Sequence, residues 1–179
     1  MTSDRTANIV GALALAVVDT LLREAQAKAP EPGPAAAAIS LLTHKPGMSI
    51  DRLRRALGLS HPGAVRLVDR LVADGVVIRE TSERDRRAVA LNLTEKGRTT
   101  CANIRAARMN SLDNLLGLLD VDERATFGML AEKLLTGIVE SEDHAYSVCR
   151  LCDEGACVSC PVNNALRSTG VGSVSFRGK

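Results

Sequence analysis

A mostly helical (α+β) fold carrying one small β-hairpin is predicted by three observations. Apolar residues recur at helical spacing along most of the 179 residues. Two short runs, Val76 to Glu80 and Ala88 to Leu93, break that spacing, and the second alternates through Val89, Leu91 and Leu93. Between them lies the charged tip Ser82-Glu83-Arg84-Asp85-Arg86-Arg87. Pro and Gly clusters separate the helical stretches.

The first helix spans about Thr6 to Lys28, with Ile9, Leu13, Ala16 or Val17, Thr20 and Leu21 on one face, and Pro30-Glu31-Pro32-Gly33-Pro34 breaks it. A second runs from Ala35 to about Thr43 and stops at Lys45-Pro46-Gly47. Ser49 is placed to cap a third, with Asp51 near the positive end of its dipole. Ile50, Leu53 and Leu57 form its buried stripe, and Gly58 ends it. Ser60 caps a fourth helix, where Pro62 in the first turn sacrifices no intrahelical bond. Val65, Val68 and Val72 are expected on its core side, and Asp74-Gly75 closes it. After the hairpin, Thr94 caps a long fifth helix reaching about Leu118. Asp120-Val121-Asp122 opens a sixth, which carries Phe127, Leu130, Leu134 and Ile138 to about Glu142.

Composition narrows the function. Two Phe, one Tyr and no Trp make the core aliphatic and leave few rings on which single-stranded bases could stack. The net charge of +2 hides a split: Lys45 to Arg108 holds 14 Lys and Arg against 7 Asp and Glu, and the remainder holds 9 against 14. A basic centre between acidic ends suits a polyanionic partner. Ile9 to Val18 is apolar, but Asp4 and Arg5 precede it and Asp19 follows, so we expect neither a leader nor a bilayer span. The expected location is the cytoplasm. Three scattered His, with no phosphate loop or nucleophile elbow, supply no catalytic set, so the chain is not expected to be an enzyme.

Helix, Gly turn, capped helix and basic hairpin together form a winged helix-turn-helix, which binds double-stranded DNA. The second helix of such a unit lies in the major groove. Ser60, His61, Gly63 and Ala64 are small or polar enough for close approach, and Arg66 and Arg70 add charge and base-reading capacity. The alternative is a solvated face, since Asp69 lies alongside. Arg84, Arg86 and Arg87 at the hairpin tip suit a narrow minor groove, with Asp85 orienting a neighbouring Arg.

The run Gly58-Leu59-Ser60, Arg66-Leu67-Val68-Asp69-Arg70-Leu71, Gly75-Val76-Val77, Asp85-Arg86-Arg87 and Leu91-Asn92-Leu93-Thr94-Glu95-Lys96-Gly97 resembles the multiple-antibiotic-resistance regulator (MarR) family. The Asp-Arg-Arg wing followed by Leu-Thr-x-x-Gly is its most distinctive part, and the match covers about Ser49 to Gly97. The resemblance implies a homodimeric transcription regulator, commonly a repressor, whose terminal helices interlock and whose two winged helices read a pseudo-palindrome. It further implies that Arg87 enters the minor groove with Asp85 as its partner, and that a small molecule or oxidant tunes the spacing of the readers.

Beyond that pattern, Cys149-x2-Cys152-x4-Cys157-x2-Cys160 places four thiols within twelve residues. Thiolates so dense repel one another unless a metal neutralises them. Paired Cys-x2-Cys halves suit zinc, whereas Cys152-x4-Cys157-x2-Cys160 also has the spacing of plant-type iron–sulfur ligands. A pair of disulfides formed under oxidant, with no metal, is the other chemistry. Cys101 reads as a small core residue rather than a sensor. The expected organisation is 1–45 dimerisation and support helices, 46–97 DNA-binding domain, 98–146 dimerisation helices, 147–162 cysteine segment and 163–179 flexible tail. Two rival functions are a winged-helix scaffold for protein partners and a thiol–disulfide oxidoreductase. Arg66, Arg70 and the wing oppose the first, and the lack of strand–helix alternation opposes the second.

Overall fold

The computed structural model describes residues 4–82, 88–157 and 159–168. Helix α1 (Arg5–Gln26) starts at Asp4, whose carboxylate accepts from the Thr6 N–H at 2.9 Å. It packs on α5 (Glu95–Leu116), but Ile9, Val10, Leu13, Leu15 and Val18 stay exposed. At 22 residues α1 outlasts the short apolar run expected from sequence, and it is long and apolar enough to cross a membrane by length and composition.

Helix α2 (Ala35–His44) is the centre of the core. Nine of its ten residues are buried, and it touches α1, α5, α3 (Ile50–Leu57) and the hairpin. Four consecutive alanines let neighbouring helices approach its axis closely, so an aliphatic core forms without aromatic bulk. Helix α3 begins at Ser49 and ends at Gly58, which adopts φ 64°. That left-handed turn brings the Leu59 N–H to the Arg54 carbonyl at 2.8 Å and aims α4 (His61–Ala73) across α3.

Strands β1 (Val77–Thr81) and β2 (Val89–Leu93) pair antiparallel, Val77 opposite Leu93 and Thr81 opposite Val89. Met48 bridges to Leu91, so the link between α2 and α3 is stitched to the hairpin. On β2, Leu91 and Leu93 face the core as the alternation predicts, whereas Val89 is exposed.

Helix α6 (Val121–Ile138) begins with a complete capping box between Asp120 and Glu123. It stops four residues before the expected end, because Val139 turns extended and a separate helix, α7 (Glu142–Val148), follows. A single 3-10 turn at Glu154–Ala156 leads to α8 (Pro161–Ser168), which packs on α6. The boundary expected at residue 163 therefore falls inside a helix whose Val162, Ala165 and Leu166 are buried. Residues 169–179, where disorder is expected, lie outside the described residues.

Candidate nucleic-acid interface

Helix α4 is built to present one face. The Ser60 hydroxyl accepts from the Gly63 N–H at 3.2 Å, and Pro62 sits in the first turn, where no N–H is needed. Ala64, Leu67, Val68 and Leu71 are buried, while Val65 and Val72 are only half-buried. The core stripe is thus turned toward the leucines from the valine stripe expected. The shift carries Ala64 off the reading face, since it is completely buried. Ser60, His61, Pro62, Arg66, Asp69, Arg70 and Ala73 face solvent, and Gly63 is half-buried among them.

The charges on this face have partners that sequence reading missed. Asp69 accepts from Arg79 of β1 at 2.6 Å, so the acid beside the reading face is neutralised by the hairpin. Arg70 pairs with Glu31 in the turn after α1, a contact that also holds its guanidinium charged. Arg66 has no ion pair among the described residues. Among the expected contacts that are described, Arg66 is therefore the arginine directly available to phosphate or base, and Arg70 must exchange Glu31 to join it.

The hairpin stands beside α4 because the Leu-Thr-x-x-Gly segment braces it. The Thr94 hydroxyl accepts from the Gly97 N–H at 3.0 Å and donates to the Gly75 carbonyl at 2.7 Å. Lys96 Nζ reaches the Asp74 carbonyl at 2.7 Å, and the Thr94 N–H donates to Val76 O at 3.1 Å. The end of the reading helix and the base of the wing are thereby tied to the start of α5. Gly97 is obligatory here, because a Cβ would overlap the Val76 carbonyl oxygen. The wing-tip residues Arg84, Asp85, Arg86 and Arg87 lie outside the described residues.

The cysteine segment docks on the same unit from behind. Arg52 and Arg55 of α3 pair with Glu142 and Asp143 of α7, the second at 3.2 Å, and the Arg52 guanidinium lies 4.9 Å from the centroid of the buried Tyr146 ring. Buried His44 at the end of α2 donates to the Cys152 carbonyl at 2.8 Å, and burial holds its pKa below the ordinary value. Arg105 of α5 pairs with Asp153.

Cys149, Cys152, Cys157 and Cys160 all line one cavity of about 310 Å³, walled by α1, α5, α6 and α8. The four form no disulfide among the described residues, and a hydrogen bond from the Cys149 thiol lowers the Cys152 pKa to about 6, with Arg108 adding to the effect. Burial, then Cys152 and Cys160, pushes Cys157 up. Among the described residues, no three His, Cys, Asp or Glu side chains are arranged to hold a metal ion. Cys101 lies apart, 2% exposed in the core.

Comparison with known proteins converges on one family. The MarR family model matches residues 32–88. A transcriptional repressor, CouR, solved on a 23-mer DNA duplex, is 30% identical with a TM-score of 0.54, the match covering 69% of this chain and 87% of that one. Wild-type MarR from E. coli in its apo form is 25% identical over 70% and 96% of the two chains, with a TM-score of 0.56. A MarR family protein from Bacillus stearothermophilus aligns over 78% of this chain and its own full length at 24% identity, with a TM-score of 0.67. This chain therefore belongs to the MarR family of winged-helix transcription regulators and is not an enzyme.

Proposed function

We propose that the protein is a homodimeric repressor that grips a pseudo-palindromic operator with two copies of α4 and its wing, acting in the cytoplasm. The observation that carries this reading is the exposed stripe of α4, with Arg66 uncommitted, braced beside a hairpin in a chain 30% identical to a repressor solved on duplex DNA. His61, Ser60 and Gly63 approach the groove at the helix start. Arg66, and Arg70 once released from Glu31, reach base edges or phosphates. The sequence assigns Arg87 and its neighbours to the minor groove. A scaffold for protein partners fits less well, because the presented face carries cations rather than an apolar patch.

The dimer reading rests on what the single chain leaves uncovered. Helix α6 buries none of its 18 residues, and Phe127, Met129, Leu130, Leu134 and Ile138 are exposed along it. Apolar surface on this scale marks an interaction site. We assign these residues with α1 to a two-fold interface, so that 1–45 and 98–146 form the dimer body and 46–97 the reading head. A bilayer offers α1 an alternative cover, but α6 needs one too, and a second chain would cover both.

Regulation is assigned to Cys149, Cys152, Cys157 and Cys160, which line one cavity between α1, α5, α6 and α8. They would hold zinc or an iron–sulfur cluster, or pair as disulfides under oxidant. A small-molecule effector of the usual family kind is compatible with either chemistry.

The test is fluorescence anisotropy with duplexes from the chain's own locus across a salt series. Two reading heads should give log K against log salt a slope of about −0.9 per phosphate neutralised. A flat response would transfer support to the scaffold.

A further inference from the structure

We infer that α7 and α8 form a brace between the reading head and α6, with Glu142 and Asp143 as positioning residues that hold α3, and α4 with it, at a set distance from the dimer axis. The inference rests on the homodimeric repressor proposed above and adds to it a part of the chain beyond the residues that the family model matches. Helix α7 is a short anchor aimed at α3. Its Ser141 hydroxyl accepts from the His144 N–H at 3.1 Å, and Glu142 and Asp143 occupy the first turn, where the helix dipole favours negative charge. Those two carboxylates meet Arg52 and Arg55. Such partly exposed ion pairs are weak on their own. Here they sit at the rim of Ala145 and Tyr146, both fully buried, with the Arg52 guanidinium over the ring. The acids select the place on α3, and the tyrosine anchors it.

The other end of the brace grips α6. Val162, Ala165 and Leu166 of α8 are buried, and α8 packs on α6. Between the two ends, His44 donates to the Cys152 carbonyl at 2.8 Å and Arg105 pairs with Asp153, so α2 and α5 hold the middle in place. Helices α5 and α6 share no broad packing among the described residues. Without this segment α6 would hang from α5 by the turn at 117–120 and the exposed Arg124–Asp113 pair at 3.4 Å. Helix α5 has 22 residues and is about 33 Å long, so an unbraced α6 is a lever hinged far from the reading head. The chain closes that lever at Val139, which joins the same core cluster as Leu53 and Tyr146.

Distance is what this triangle controls. Across the Gly58 turn the Leu59 N–H donates to the Arg54 carbonyl at 2.8 Å, so α4 follows α3. With α6 in the two-fold interface, an outward shift of about 1.7 Å in each head separates the two α4 helices by a further 3.4 Å or so, about the rise of one base pair. A brace that yields by little more than one bond length therefore decides which operators fit.

The experiment uses the full chain and two variants. Glu142→Arg sets a cation against Arg52, and Glu142→Arg with Arg52→Glu restores the pair in reverse. Glu142 is 43% exposed, so both should keep the fold, and Asp143→Asn repeats the test at smaller amplitude. Each protein is titrated by anisotropy with the tightest duplex from the chain's own locus, with copies one base pair longer or shorter at the centre, and with one half alone. The wild type should prefer the natural length by about tenfold, within the usual range for coupled sites. Glu142→Arg should lose that preference while binding the single half as before, and the swapped pair should regain it. A preference that survives Glu142→Arg, one that stays lost in the swapped protein, or an equal loss on the single half overturns the proposal. Hydrogen exchange tests the brace without DNA. In Glu142→Arg it should quicken in α8 and α6 as well as in α7, and a rise confined to α7 overturns the mechanical link. Wild-type protein that binds none of these duplexes, with exchange spreading to α6 in the variant, would support the brace and remove the repressor reading.

Discussion

Helices α2 and α6 are both rich in apolar residues, yet α2 buries nine of ten residues and α6 buries none. The difference lies in what surrounds them. Helix α2 is enclosed by α1, α3, α5 and the hairpin within its own chain, whereas α6 meets only the short α8 over much of its contact. One helix completes a fold, and the other is half of an interface in the dimer proposed above.

The largest effect should come from breaking the second of these. Leu130→Glu with Leu134→Glu places charge on the uncovered stripe, where the wild-type side chains are 51% and 63% exposed. Sedimentation should show monomers with unchanged circular dichroism, and operator affinity should fall about 100-fold as bivalent grip is lost. A dimer of wild-type affinity would remove α6 from the interface.

Gly97→Ala probes the enclosed half. With a Cβ forced against the Val76 carbonyl, urea denaturation should show a loss of about 2–3 kcal/mol, the upper part of the overpacking range. Next come Arg66→Ala and Arg87→Ala, which should each weaken operator binding by about 1–3 kcal/mol while sedimentation still shows dimers. Equal binding by Arg87→Ala would take the wing tip out of recognition. The smallest change is Glu31→Gln. Releasing Arg70 from its ion pair with the largely covered Glu31 should raise operator affinity, by about fivefold at most, since ion pairs with one solvent-facing partner contribute little. Unchanged affinity would mean that Arg70 stays away from DNA.

Much of the reading head was legible because its signals are local. Ser49, Gly58, Ser60 and Thr94 fix helix ends through contacts within four residues, and all four occupy the expected caps. The orientation of α4 was harder. Val65, Val68 and Val72 and the set Ala64, Leu67, Val68 and Leu71 both satisfy helical spacing, and packing against α3 and β1 selects the second. The rear clamp left no periodic trace at all. Glu142 and Asp143 look like solvated acids until the fold brings Arg52 and Arg55 beside them, about 90 positions away in sequence. Tyr146 is a lone aromatic in sequence with nothing to mark it as buried, and α8 is too short for its apolar spacing to stand out beside the cysteines. Its buried face could have been suspected from Val162, Ala165 and Leu166 at intervals of three and one.

One consequence follows from the joint at Thr94, Lys96 and Gly97. Because a single splice fastens both the tail of the reading helix and the foot of the hairpin, their mutual angle is locked within the chain. In the proposed dimer, any signal would then slide or tilt the two heads only as whole blocks. Induced and repressing forms should share one half-site alphabet and diverge over how many base pairs they accept between the halves.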